Sequence, residues 1–385
     1  MMKSTLLCAL VGLAMLATVT SDAMAAPGGT NVKPTIEKAK FGATLEGETV
    51  NVYTLTNSNG LSAKILDFGG VLYEMNVPDK NGVFANISCN YPTVGEYQTI
   101  RPYFGSLIGR YGNRIAKGKF KVDGKEYSIA TNNAPNTLHG GLKGFDQQIW
   151  QASCSADDNG AYLTLKYTSP DGDQGYPGKL DVTVVYSLKN DNSLTIDYTA
   201  TTDKSTPVNL TNHTFWNLGG AYSGSILDTV LTLNCPGYLP TDDTLIPTGK
   251  VESVKGTPLD FTSPKAIGKD IAGITEEHFR GGYDHCFVLA DKKPGEMSLC
   301  AFAKDPKSGR TMKIETTEPG VQFYSGNWLD GTTSCNGYGY DQHTAFCLET
   351  QHYPDSPNQP QFPNTILKPG DTYRHTTVHT FGVEK

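Results

Sequence analysis

Charged side chains are scarce in this chain: Asp, Glu, Lys and Arg make up 18% of its 385 residues, with a formal net charge of −7. A mildly acidic balance excludes the basic footprint by which proteins hold nucleic acid or anionic membrane. Paired cysteines are missing too. The eight cysteines contain no C-x-x-C, so there is neither a zinc signature nor a dense disulfide framework. No G-x-S-x-G, no phosphate-cradling glycine loop and no Rossmann fingerprint occurs, which leaves serine nucleophiles and nucleotide cofactors without support. Helix-period patterns are hard to find. Past the N-terminus, no apolar run approaches the ~20 residues that span a bilayer.

The N-terminus is different. Met1-Met-Lys3, the apolar run from Leu6 to Ala17 and the small-residue stretch Ala23-Met-Ala25 are the three parts of a secretory signal. The expectation is cleavage near Ala25, one domain over 26–385, and a periplasmic or secreted protein. Lys3 and Asp22 cancel, so the mature chain keeps its charge. Cys8 lies inside the apolar run rather than after it, which argues against a lipid anchor. The cysteines that remain, at 89, 154, 235, 286, 300, 335 and 347, are odd in number. In an oxidising compartment a monomer therefore keeps at least one thiol.

Glycine (41), proline (22) and tyrosine (20) are abundant, as in proteins of many short strands and turns. Residues 161–168, 180–188, 193–200 and 344–351 alternate apolar and polar side chains. Turn-rich pieces, "SPDGDQGYPGK" and "KNDN", separate the first three, which predicts an antiparallel meander. No linker-like break and no fixed-period repeat appears after residue 40. The expected fold is all-β, one domain of large antiparallel sheets packed face to face with a cleft for a ligand.

Polar clusters interrupt these strands. "PVNLTNHTFWNLGG" (207–220) alternates as a strand does, with Asn209, Thr211, His213, Phe215 and Asn217 on one face and Val208, Leu210, Asn212, Thr214 and Trp216 on the other. Glu349 interrupts the apolar 344–351 strand and requires a partner if buried. Gly109–Arg114 sets two arginines between glycines, and His139 precedes a glycine pair. Asp284 and Gln322 open or interrupt further apolar strands. Arginine, asparagine, glutamine and aspartate suit a ligand covered in hydroxyls, and His213 and Glu349, expected on strands where geometry is held, suit acid–base work. His375 and His379 look like a metal pair. On a strand their spacing puts them ~13 Å apart, so no metal is expected from them.

Taken together, "GRYGNRIAKGKF", "NTLHGGLKGFDQQIW", "DGDQGYPG", "PVNLTNHTFWNLGG", "YLPTDDTLIPTG", "YDHCF", "PGVQFYSGNW" and "FCLETQHYPDSPNQPQFP" resemble, in order and from about residue 40 to 383, the aldose 1-epimerase (galactose mutarotase) family. The resemblance implies a large antiparallel β-supersandwich, no cofactor and no metal. It implies a free monosaccharide as ligand, and interconversion of its α and β anomers. His213 matches the general acid that protonates the ring oxygen, and Glu349, expected across the cleft, matches the base that takes the anomeric proton. Asn113, Arg114, His139, Asp284 and Gln322 match sugar-contacting positions, with Thr214 and Phe215 beside the acid. Thr-Phe-Trp after His213 departs from the Ser-Tyr-Phe type of many members and bears on pocket shape.

Three other readings compete. A glycoside hydrolase usually needs two carboxylates, and Asp284 is the available second acid. A sugar-binding module would not need both His213 and Glu349. A hexose-6-phosphate epimerase would need further cations at the cleft. The expected assembly is a monomer or weak homodimer.

Overall fold

Alternation in the sequence becomes alternation in burial. Along the first part of Leu180–Lys189 the residues Leu180, Val182 and Val184 are buried while Asp181, Thr183 and Val185 are partly exposed, because successive side chains of a strand point to opposite faces. The structure is a computed structural model that describes residues 33–385 apart from 101, 291, 292, 294, 332, 333 and 336. The expected signal, residues 1–25, lies outside the described residues.

The predicted meander is present. Gly160–Ser169, Leu180–Lys189 and Ser193–Thr202 are consecutive neighbours in a nine-stranded sheet, paired antiparallel. The C-terminal strand Tyr373–Val383 inserts between Ser193–Thr202 and Arg310–Thr316. Facing it is a six-stranded sheet in the order Phe215–Trp216, Phe346–Gln351, Gly320–Tyr324, Asp284–Val288, Gly237–Tyr238 and Glu252–Ser253. An N-terminal five-stranded sheet spans Thr35–Asn86 and packs Leu55, Ile65 and Met75 into the same core. No helix among the described residues is long and apolar enough to cross a membrane.

The six-stranded sheet divides its two faces by chemistry. Phe287, Phe323, Phe346, Leu348 and Trp216 point inward and join Tyr186, Ile196 and Ile314 of the large sheet in one apolar cluster. Each such side chain contributes roughly 1.5–3 kcal/mol by leaving water. The opposite parity puts Asp284, Cys286, Gln322, Tyr324, Cys347 and Glu349 on the other face. Core packing on one side thus holds a row of polar groups on the other.

Residues 207–217 are not one strand. Thr206–Pro207 pairs with Ile366–Leu367, Thr211–Asn212 with Leu107–Ile108, and Phe215–Trp216 with Phe346–Cys347. The alternation survives within each piece, but the chain changes partner twice as it crosses between sheets. His213 and Thr214 lie in the second break rather than on a strand. His375 and His379 part as their spacing requires: His375 sits beside Glu318, and His379 packs on Trp216 with rings 5.5 Å apart.

Candidate active site

The floor of the cleft is the polar face of the six-stranded sheet. Gln322 stands opposite both Cys286 and Glu349 in register, and its amide donates to Asp284 Oδ1 at 2.7 Å. The side chains of Asp284, Gln322 and Glu349 therefore come from three adjacent strands, whose hydrogen-bonded ladders space them.

One wall is a two-stranded ribbon in which Arg114–Ile115 pairs with Thr137–Leu138. Asn113 and His139 flank it, both with left-handed backbones (φ 59° and 49°). They lock each other: the His139 N–H donates to the Asn113 carbonyl at 3.0 Å, and the Asn113 N–H donates to His139 Nδ1 at 3.2 Å. With Nδ1 an acceptor, a neutral His139 carries its proton on Nε2. Gly140 must be glycine, since a Cβ there would meet the Gly109 carbonyl oxygen at 2.0 Å. Arg114 donates through Nε to Asn133 Oδ1 at 3.2 Å.

His213 is held by its backbone on both sides. Its N–H donates to the Ser106 carbonyl at 2.9 Å, and its carbonyl accepts from the Gly105 N–H at 3.0 Å. The imidazole stacks on Phe215 (5.1 Å) and Tyr103 (5.7 Å) and meets His139 edge-on at 5.1 Å. Cys347 Sγ lies 3.6 Å from its Nδ1. Its Nε2 is 3.5 Å from Glu349 Oε1, and both side chains are almost wholly buried. The pair stands side by side, not across the cleft as expected, because Phe215 and Cys347 are register partners and each carries its neighbour two residues along to the same edge.

Burial dominates the electrostatics. It pushes His213 down to about 4 and Glu349 well above the carboxylate range, where the nearby Asp284 charge adds to the rise and Arg114 opposes it. Asp284 is raised by burial as well, again opposed by Arg114 and by its hydrogen bond from Gln322. Arg114 itself is lowered by burial and held up by Asp284 and Glu349. The buried Glu349 Oε2 has no hydrogen-bond partner among the described residues.

These groups line a cleft of about 630 Å³ that includes Asn113, Arg114, His139, His213, Phe215, Asp284, Gln322 and Glu349. Thr214 does not line it: its hydroxyl turns away to donate to Asn212 Oδ1, since in the break the side chain after His213 points to the opposite side. Tyr103, Asn133, Tyr324 and Trp328 also line the cleft and were missed. Tyr324 and Trp328 fall within the quoted "PGVQFYSGNW"; Tyr324 ends a strand, where an aromatic reads as core until its face is known, and Trp328 lies in the turn that follows. Side chains of types able to ligate a metal cluster in two places among the described residues, His139 with His213 and Glu349 in the cleft, and Glu318 with His352 and His375 outside it.

The fold and site define a sugar-epimerase class, and comparison with known proteins agrees. Residues 51–380 match the family model described as aldose 1-epimerase. The chain is 43% identical over 350 residues to galactose mutarotase of Bos taurus, covering 90% of this chain and 99% of the relative. It is 36% identical over 343 residues to aldose 1-epimerase of Escherichia coli K12, covering 88% and 97%. The crystal structure of galactose 1-epimerase from Lactobacillus acidophilus superposes with a TM-score of 0.80 at 26% identity, covering 91% of this chain and all of that one. The chain belongs to the aldose 1-epimerase family, and it is an isomerase.

Proposed function

We propose that this isomerase interconverts the α and β anomers of free aldohexoses such as glucose and galactose, with Glu349 as general base and His213 as general acid. The observation that carries the assignment is the buried pair itself, Nε2 and Oε1 3.5 Å apart with the second carboxylate oxygen left to accept from a ligand. The anomeric hydroxyl and the ring oxygen share one carbon, so adjacent groups can reach both. Glu349 takes the anomeric proton while His213 delivers one to the ring oxygen, the C1–O5 bond breaks, and an open-chain aldehyde forms. Rotation about C1–C2 presents the other carbonyl face. Reclosure then returns both protons.

The pair carries one proton throughout, as imidazolium with carboxylate before opening and as imidazole with carboxylic acid while the aldehyde is free. Burial favours the neutral form of each partner, so the cleft stabilises the pair in the state it holds during rotation. The cycle moves protons and no electrons, so its balance calls for no redox cofactor. Asn113, Arg114, His139, Asp284 and Gln322 supply donors and acceptors for ring hydroxyls, and Phe215 an apolar face. Among the described residues lining the cleft, Arg114 is the single Lys or Arg, which favours an unphosphorylated sugar.

Polarimetry of freshly dissolved α-glucose or α-galactose tests the reading. His213→Asn and Glu349→Gln are expected to relax far more slowly than wild type, and equal rates for all three would overturn it. Release of monosaccharide from a glycoside would point to a hydrolase instead. We further propose that residues 1–25 are a cleaved signal and that the enzyme equilibrates anomers in the periplasm or outside the cell. Recovery of uncleaved protein solely in the cytoplasm would refute this.

A further inference from the structure

Outside the sugar cleft, Glu318, His352 and His375 converge from separate strands. Glu318 precedes Gly320–Tyr324, His352 follows Phe346–Gln351, and His375 lies in Tyr373–Val383. Glu318 is 1% exposed, and a buried carboxylate must be paired or coordinate a metal. His352 Nδ1 lies 2.6 Å from Glu318 Oε2 and His375 Nδ1 3.2 Å from Oε1. The three donor atoms are within 4.8 Å of one another, and the two imidazoles retain 13% and 14% exposure, which leaves a path to solvent.

We propose that these three side chains form a binding site for a divalent transition-metal ion of the zinc type. Two imidazoles and one carboxylate are a borderline donor set that selects zinc, cobalt or nickel over magnesium or calcium. Ligands ~2.0–2.1 Å from a tetrahedral ion stand roughly 3.3 Å apart, close to the 3.2 Å between His375 and Glu318 and wider than the 2.6 Å between His352 and Glu318. Binding exchanges the Nδ1 contacts to Glu318, and that of His375 to the Thr317 hydroxyl at 3.2 Å, for metal bonds, and releases any proton held there. The Tyr373 hydroxyl, 3.2 Å from Glu318 Oε1, supplies the outer partner that orients a ligating carboxylate.

The ion would brace the scaffold rather than enter the reaction. Glu318 lies four residues before Gln322, ahead of the strand that carries it, and none of the three residues lines the sugar cleft. Asn209 Oδ1 accepts from the His352 N–H at 3.0 Å, and the Leu210 N–H donates to the Tyr373 hydroxyl at 3.1 Å. The site thus ties the strands of Gln322 and Glu349 to the segment that leads into His213.

The test is titration of the chelator-treated full chain with Zn²⁺ or Co²⁺ alone, comparing wild type with His352→Asn, His375→Asn and His213→Asn. Wild type and His213→Asn are expected to bind one ion in the micromolar range or tighter and to gain thermal stability from it. His352→Asn and His375→Asn should each weaken binding by more than the roughly 10–100-fold that loss of an outer partner costs. No binding by wild type, or binding lost in His213→Asn and kept in the other two, would overturn the proposal. Should those variants fail to fold, crystals of wild type soaked in Zn²⁺ decide: an anomalous peak among Glu318, His352 and His375 supports the site, and its absence there refutes it.

Discussion

Phe215 pairs in register with Cys347, and through that one pairing the residue two before Phe215 and the residue two after Cys347 become neighbours. His213 and Glu349 are 136 positions apart in the chain, yet their reactive atoms are 3.5 Å apart. The core faces of the same strands, Trp216 against Phe346, hold the pairing in place.

Removal of either partner should be nearly as costly as removal of both. His213→Asn and Glu349→Gln are each expected to slow sugar-dependent optical relaxation by ~10²–10⁴-fold. The double variant should fall little further, because groups that act as a unit are not additive. Independent, multiplicative losses in polarimetry would contradict the shared-proton pair.

The pH dependence of kcat/KM should be bell-shaped, with an acid limb where the pair gains a second proton and an alkaline limb where it loses its last. Arg114 lowers Glu349 and Asp284 raises it. Arg114→Met should accordingly move both limbs to higher pH, since losing a cation eases protonation, and Asp284→Asn should move both to lower pH. Shifts of the same sign in the two variants would count against this electrostatic arrangement.

Stability should fall on mild acidification. Burial lowers His379 from 6.5 to about 4 and His285 to about 3. These groups are neutral in the fold and protonate first in the unfolded chain, so their contribution is complete above pH 6.5 and is lost as pH falls from there toward 4. Each adds about 1.4 kcal/mol per pH unit to the slope in that window. Urea unfolding at pH 7 and pH 5 should show the loss, and His379→Leu should flatten it by one group's share. An unchanged slope in that variant would refute the assignment.

Sugar binding should report through one tryptophan. Trp150 and Trp216 are 2% and 1% exposed, while Trp328 is 56% exposed at the cleft, with the Arg280 guanidinium 4.6 Å from its ring centre. Galactose is expected to change the intrinsic fluorescence of wild type and not that of Trp328→Phe. A full response from Trp328→Phe would show that sugar does not reach this side of the cleft.

Much of this architecture is legible in the residues. The alternation at 180–188 and 193–200 marks strands and their inward faces, and Glu349 in an apolar run announces a buried carboxylate in need of a partner. Thr214 was legible too, since parity puts it opposite His213, although the family pattern drew it to the pocket. The breaks at 207–217 were hidden because a period of two continues through a change of strand partner. The sequence gives no sign of the histidines beside Glu318, because His352 and His375 reach it from other segments of the chain.

Local chemistry in the chain by itself determined the strands, their two faces and the residue types able to move a proton or hold hydroxyls, because period and composition are properties of neighbouring residues. Tertiary structure alone decided that His213 and Glu349 stand side by side, that Tyr103 and Trp328 join them, and that Glu318 meets two histidines. Those relationships depend on which strands pair and in what register. That choice is made by burial of distant apolar faces against one another, which no local pattern records.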